Sequence, residues 1–203
     1  MNIHSVTPRK PDLPQSLIDA AIALFAERTY EGTQMPAVAQ RAGVGVGSIY
    51  RYFPSKEALG NAAFQYAKRA LLDQLAETLA EGGPAGSVRE EFGRFWCGFT
   101  RYASERPEAF AFLEHQQHDT FLAPESGELA AEIDRVATDF IARGQVAGEI
   151  REGEADQLVA LAMGAFAGLV RLRRPGGLAA LGPGDIDRAE AAVWDLLHRK
   201  AAP

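Results

Sequence analysis

Seven residues within eleven positions, Val46, Gly47, Ser48, Tyr50, Arg51, Tyr52 and Lys56, hold the chain's most suggestive chemistry. Three hydroxyls, a guanidinium and an ammonium are suited to phosphate oxygens, and Ser48 and Arg51 can also bond base edges. Val46 can touch a thymine methyl, and Gly47 lets backbone approach closely. Thr33 adds a hydroxyl that could meet a phosphate together with the helix start behind it. Tyr50, Tyr52 and Lys56 are therefore expected to hold a nucleic-acid backbone, leaving Val46, Gly47, Ser48 and Arg51 to read it. No nucleophile–base–orienter set or complete metal cluster is spaced for catalysis anywhere in the chain, so no cofactor and no enzymatic activity is expected.

Those residues need a scaffold that presents a short helix. The stretch from Val38 to Phe53 supplies one: two short helices joined at a glycine. Val38, Ala42, Val44 and Ile49 can lock the helices, Ala39 is the small contact, and Gly43 can take a positive φ without steric cost. The second helix would enter a major groove. Gly-Val-Gly-Val-Gly at 43–47 is not a phosphate loop, because it follows a helix and lacks the closing Gly-Lys-Ser/Thr.

The first helix should begin near Pro14, favoured at a first helical position, and present Leu17, Ile18, Ala21, Leu24 and Phe25 on one face before Gly32 stops it. Thr33 then reads as the N-cap of helix two, with Pro36 in its first turn. Gly45 sits where helix three needs a cap, and Ser55 caps a fourth helix that reaches about Glu81. At ~1.5 Å per residue that helix spans roughly 40 Å, enough to link two domains. After the break at residues 82–87, all that follows reads as helix. Helix five runs from about Val88 to Glu105, helix six opens at Pro107, and helix seven carries Leu129, Ile133, Val136, Phe140 and Ile141. Helix eight, about Glu154 to Arg173, is apolar nearly all round and must be buried on several sides. Helix nine follows a Gly/Pro-rich break at 174–185. The fold class is all-α with about nine helices, divided into an arm (1–12), a helix-turn-helix domain (13–56) and a helical body (57–203).

The net charge of −6 divides unevenly. Residues 1–56 hold six basic and four acidic side chains, leaving 15 basic and 23 acidic for the body. A small nucleic-acid module on an acidic body fits that asymmetry. Arg9 and Lys10 could extend an arm to backbone or minor groove, and with so few base-reading donors that arm and DNA shape would carry much of the specificity. The single cysteine, Cys97, reads as an inert core thiol and fits a reducing cytoplasm. No secretory signal or membrane span is apparent.

The residues from Leu17 to Leu59 resemble the TetR family of transcriptional regulators. The resemblance rests on Leu24-Phe25, Tyr30-x-Gly32-Thr33, Val38-Ala39-x-x-Ala42-Gly43-Val44 and Ser48-Ile49-Tyr50-x-Tyr52-Phe53-x-Ser55-Lys56-Glu57-x-Leu59. One departure is Gly45, where the family often carries Ser or Thr. The resemblance implies a cytoplasmic homodimer that binds a double-stranded DNA operator, most simply a repressor. Helices eight and nine would pair into a four-helix bundle, here through Leu161, Ala165, Gly168, Leu169, Ala189, Val193 and Leu196. It also implies an effector pocket among helices four to eight. The aromatic-rich set Phe92, Trp96, Phe99, Phe110, Met163 and Phe166, with His115 and His118, would suit a small apolar or aromatic effector. His115 and His118 are three residues apart beside carboxylates, yet no third metal ligand is identifiable. An effector-independent regulator or an activator of the same fold, and more remotely a helical-bundle enzyme, are the alternatives.

Overall fold

The computed structural model describes residues 12–115, 121–172 and 182–199. Among them are nine helices and no strand: α1 (Leu13–Arg28), α2 (Met35–Arg41), α3 (Val46–Tyr52), α4 (Lys56–Ala80), α5 (Val88–Glu105), α6 (Pro107–His115), α7 (Pro124–Val146), α8 (Ala155–Val170) and α9 (Pro183–Leu197). None is long and apolar enough to cross a membrane. The arm carrying Arg9 and Lys10, and His118, lie outside the described residues, as does the side chain of His115.

α1 forms the floor of the N-terminal unit. Leu17, Ala21, Leu24 and Phe25 are all buried, as their helical spacing requires. The helix stops earlier than expected, because Thr29 turns into the left-handed region at φ 66° well before Gly32. Thr33 is not the cap of α2; Gln34 holds that position without a side-chain bond. Gly43 does make the turn between α2 and α3, at φ 72°. Ile49, Val38 and Ala39 are fully buried at the helix crossing.

Ser55 caps α4, its Oγ accepting from the Ala58 amide at 3.2 Å. One continuous helix of 25 residues then runs from the N-terminal unit into the body, where α5 packs along it. The hydrophobic core is continuous from Leu17 to Leu197, and Phe25 meets Phe112 of α6 at 5.5 Å between ring centroids. Head and body are therefore welded through α1 as well as linked through α4.

α8 departs from its expected burial. Leu158, Phe166 and Ala167 face the core, but Ala160, Leu161, Gly164, Ala165 and Gly168 form an exposed face on this single chain. α9 is tied to its own protomer by the Arg89–Glu190 pair from α5, and by an isolated bridge between Ile150 and His198. Cys97 is exposed on α5 and not a core thiol, because the helix buries Trp96 and Gly98 on either side of it.

Candidate functional site

α3 projects from the head with little of it used for packing. Ile49 alone is buried, while Val46, Tyr50 and Tyr52 stand 43%, 49% and 42% exposed. Three large side chains left in water beside an exposed Arg51 are the mark of a contact surface and not of a core face. Ser48 is half-buried and Gly47 is exposed; a Cβ built on Gly47 would meet nothing within 4 Å. Phe53 is half-buried and packs on the core.

Two of the expected phosphate contacts are placed differently. Thr33 is 2% exposed, and its hydroxyl bonds the carbonyls of Thr29 at 2.8 Å and Leu24 at 3.3 Å. A hydroxyl satisfied in this way ties the α1–α2 turn and has no reach to solvent. Lys56 lies across the Tyr30 ring at 4.3 Å and donates to the Glu31 carbonyl at 3.3 Å. Its charge sits at the head's rim, but the side chain is already engaged.

Tyr30 opens a second feature, a junction between head and body. Its ring stacks on Phe121 at 4.0 Å between centroids and 19° between planes. Gly60 of α4 lies beneath the pair, and a Cβ there would come within 2.8 Å of the Tyr30 ring and 3.0 Å of the Phe121 ring. Burial pushes the Tyr30 hydroxyl up to about 12, with Glu57 and Glu31 adding to the shift. Beside the stack, Asn61 donates to the Phe121 carbonyl at 2.7 Å and accepts from the Ala123 amide and the Ser126 hydroxyl, each at 2.7 Å. Gln65 donates to the same hydroxyl at 3.1 Å. The segment entering α7 is thus pinned to α4 and to the end of α1.

Two of the hollows in the body adjoin one another. The smaller, about 70 Å³, is lined by Phe92, Trp96, Phe99, Phe140, Met163, Phe166 and Val193 among others, and is almost wholly apolar. The larger, about 430 Å³, lies between α4, α5, α6, α7 and α8, and Phe99, Ala137, Val159 and Met163 belong to both. Of the sequence-expected effector residues, Phe92, Trp96 and Phe166 line the small chamber, Phe110 the larger, and Phe99 and Met163 both. Rings pack edge to face around Phe166, with Trp96 at 5.1 Å and Phe110 at 5.6 Å. The larger hollow also holds Lys68 of α4. Burial lowers the Lys68 pKa, and Asp134 and Glu114 offset the shift only in part. No described carboxylate lies within ion-pair distance of its ammonium, which rests 5.6 Å from the centre of the Phe64 ring.

Sequence reasoning missed Lys68, Asn61 and Trp194. Lys68 carried a signal, since it falls at helical spacing with Phe64, Leu71 and Leu75 on the buried stripe of α4. Trp194, 8% exposed and 5.4 Å from Phe92, fills the far wall beside the small chamber.

Of the expected pairing residues, Leu161, Ala165 and Gly168 are exposed, whereas Leu169, Ala189 and Leu196 are half-buried against the protomer's own core. Val193 is only 6% exposed and lines the small chamber, so it is spent inside the subunit and not on a partner.

Known proteins resemble this chain in sequence and in fold. A profile for bacterial regulatory proteins of the tetR family matches residues 17–63, and one for a tetracyclin repressor-like C-terminal domain matches residues 69–198. The HTH-type transcriptional repressor KstR of Rhodococcus jostii (strain RHA1) is 58% identical over 40 residues, 20% of this chain but only 19% of that relative's length. The fatty acid metabolism regulator protein of Bacillus subtilis (strain 168) is 27% identical over 139 residues, covering 68% of this chain and 70% of the relative. A solved TetR family transcription regulator from Shewanella sp. PV-4 has the same fold, with a TM-score of 0.76 at 20% identity over 93% of this chain and 100% of that one. With both halves matched, the chain belongs to the TetR family of bacterial regulatory proteins.

Proposed function

We propose that the protein is a homodimeric transcriptional repressor that binds a pseudo-palindromic operator and is released by a small apolar or aromatic effector. The observation that carries this reading is the single helix α4, which has Lys56 at the head's rim and Lys68 in the larger hollow. Those residues are twelve positions apart, about 18 Å along the axis. A ligand that fits the hollow only when α4 shifts would favour the DNA-incompetent state, and its effect is limited by that preference. An effector-independent regulator would be expected to fill its body with side chains, and the 430 Å³ hollow speaks for the responsive form. The relative named for fatty acid metabolism is in keeping with an apolar effector.

In the dimer, the exposed face of α8 around Leu161, Ala165 and Gly168 would meet its copy, with α9 beside it. The two α3 helices would then lie about 34–36 Å apart and read successive major grooves. Tyr50 and Tyr52 would hold the backbone, and Val46, Gly47, Ser48 and Arg51 would read a few base edges.

Selection of bound sites from random double-stranded DNA, followed by displacement assays with a metabolite panel, tests the proposal. The expected result is an inverted repeat with half-sites one helical turn apart, released by at least one apolar compound. Enrichment of no motif would sink the operator reading, and an operator that no compound displaces would sink the effector reading.

A further inference from the structure

The charges around the larger hollow distinguish one ligand class from its neighbours. Lys68, Glu114, Asp134 and Asp156 all line it. The three carboxylates are exposed, so water already solvates them and salt screens them. Lys68 is half-buried, makes no hydrogen bond or ion pair among the described residues, and lies against the Phe64 ring. Opposite charge gains most at the group that has lost most of its hydration, and in this hollow that group is the ammonium. A cationic ligand would gain little from carboxylates that keep their water.

Beyond Lys68 the walls turn apolar. Phe99, Phe110, Ile133 and Met163 line the larger hollow, and Phe99 and Met163 continue into the small aromatic chamber. A volume of about 430 Å³ is within the range of pockets that enclose small molecules, roughly 300–1,000 Å³.

We infer that the effector is an amphiphile with one anionic group, which meets the Lys68 ammonium in the larger hollow while its apolar body runs past Phe99 and Met163 into the aromatic chamber. One cation sets one anion, and a lysine, as a point charge, accepts a carboxylate without demanding forked geometry. This reading rests on the ligand-responsive function proposed above and names its ligand. It also gives that function a direct lever, because the anion acts on a side chain of α4 itself.

Titration calorimetry with three ten-carbon probes, decanoate, decan-1-ol and decyltrimethylammonium, tests it on the full chain and on Lys68→Met and Lys68→Arg, with operator release measured in parallel. The full chain is expected to bind decanoate about tenfold more tightly than decan-1-ol, the scale of one charge-assisted contact. Lys68→Met should level the two while leaving the alcohol's affinity within about twofold, and Lys68→Arg should keep the preference. Decanoate favoured equally by Lys68→Met, or the cation favoured by the full chain, would overturn the inference. Equal binding of acid and alcohol by the full chain would remove the anionic anchor and leave the responsive repressor standing. Failure of all three to bind or to release operator would remove both.

Discussion

Replacing Phe121 by leucine tests whether the junction between head and body carries energy. The ring stacks on Tyr30 at 4.0 Å and is 7% exposed, so leucine keeps most of the buried area and loses the aromatic pair. Such pairs are worth about 0.5–1.5 kcal/mol beyond burial, and the smaller side chain adds a modest cavity term. The expected loss is about 1–2 kcal/mol, which lowers Tm by roughly 2–4 °C per kcal/mol in a chain of this size. The Asn61 bonds remain, because they engage the backbone at Phe121 and Ala123, and the segment stays pinned. Tyr30→Leu should cost more, since Lys56 also loses the ring beneath it. Chemical denaturation of both single variants and the double variant closes the cycle, with an expected coupling of about 1 kcal/mol. Additivity within about 0.3 kcal/mol would refute the reasoning: rings in contact with no energetic coupling cannot pass a shift of α6 and α7 to the head.

Ala165→Arg should give monomers in sedimentation velocity while the thermal transition of each subunit survives, because Ala165 is exposed on the single chain; an intact dimer would show that α8 pairs by another face. Val193→Arg should instead abolish cooperative unfolding, since a charge placed at a 6% exposed position has no partner; a folded monomer would return Val193 to the interface. Gly47→Ala should leave the fold as stable or up to about 1 kcal/mol more stable, because its Cβ meets nothing within 4 Å. The same change should weaken operator binding by about 1–3 kcal/mol, the scale of one mismatched base pair, if backbone there lies against DNA. Undiminished affinity in fluorescence anisotropy would place Gly47 away from the groove. Lys68→Met should raise Tm at neutral pH, because burial holds the folded-state pKa below the unfolded value of 10.5 and the charged form is disfavoured in the fold. The unfolded chain keeps its proton to higher pH, so this group's contribution to stability grows as pH rises toward 10.5 and is smallest below the folded pKa. A Tm gain for Lys68→Met that persists undiminished above that pH would contradict it.

The head was legible because each of its residues answers to a local rule. Gly43 stands where only a positive φ closes the turn, and Ile49 and Val38 occupy the one register that locks two short helices. Thr33 shows where local rules mislead. A threonine before a proline-opened helix is a good cap on propensity alone, but the carbonyls of Leu24 and Thr29 reach it first. The body was legible as helices and not as surfaces. Helix eight is apolar around its circumference, and only tertiary packing decides that Phe166 turns inward, onto Trp96 and Phe99 of α5 and Phe110 of α6, while Leu161 is left out. Val193 follows the same logic on α9, claimed by the aromatic chamber. Lys68 was obscured by its type, since a lysine on a long helix ordinarily points to water.

Under the proposed function, Tyr30, Gly60, Asn61 and Lys68 would let α4 serve both ends of the molecule. Gly60 allows the Tyr30–Phe121 stack to sit directly on the helix, and one residue later Asn61 grips the segment that enters α7. Two turns further on, Lys68 faces the hollow whose other walls come from α5, α6, α7 and α8. A ligand there would touch α4, α6 and α7 together. Any displacement of α4 against α7 must then slide Phe121 over Tyr30 or break the Asn61 bonds, because a close-packed junction has few intermediate arrangements. The head would respond in steps and not in proportion to the ligand's push. Under the proposed function, the free-energy difference between those steps, and not the distance between the sites, would set how much operator affinity a ligand could remove.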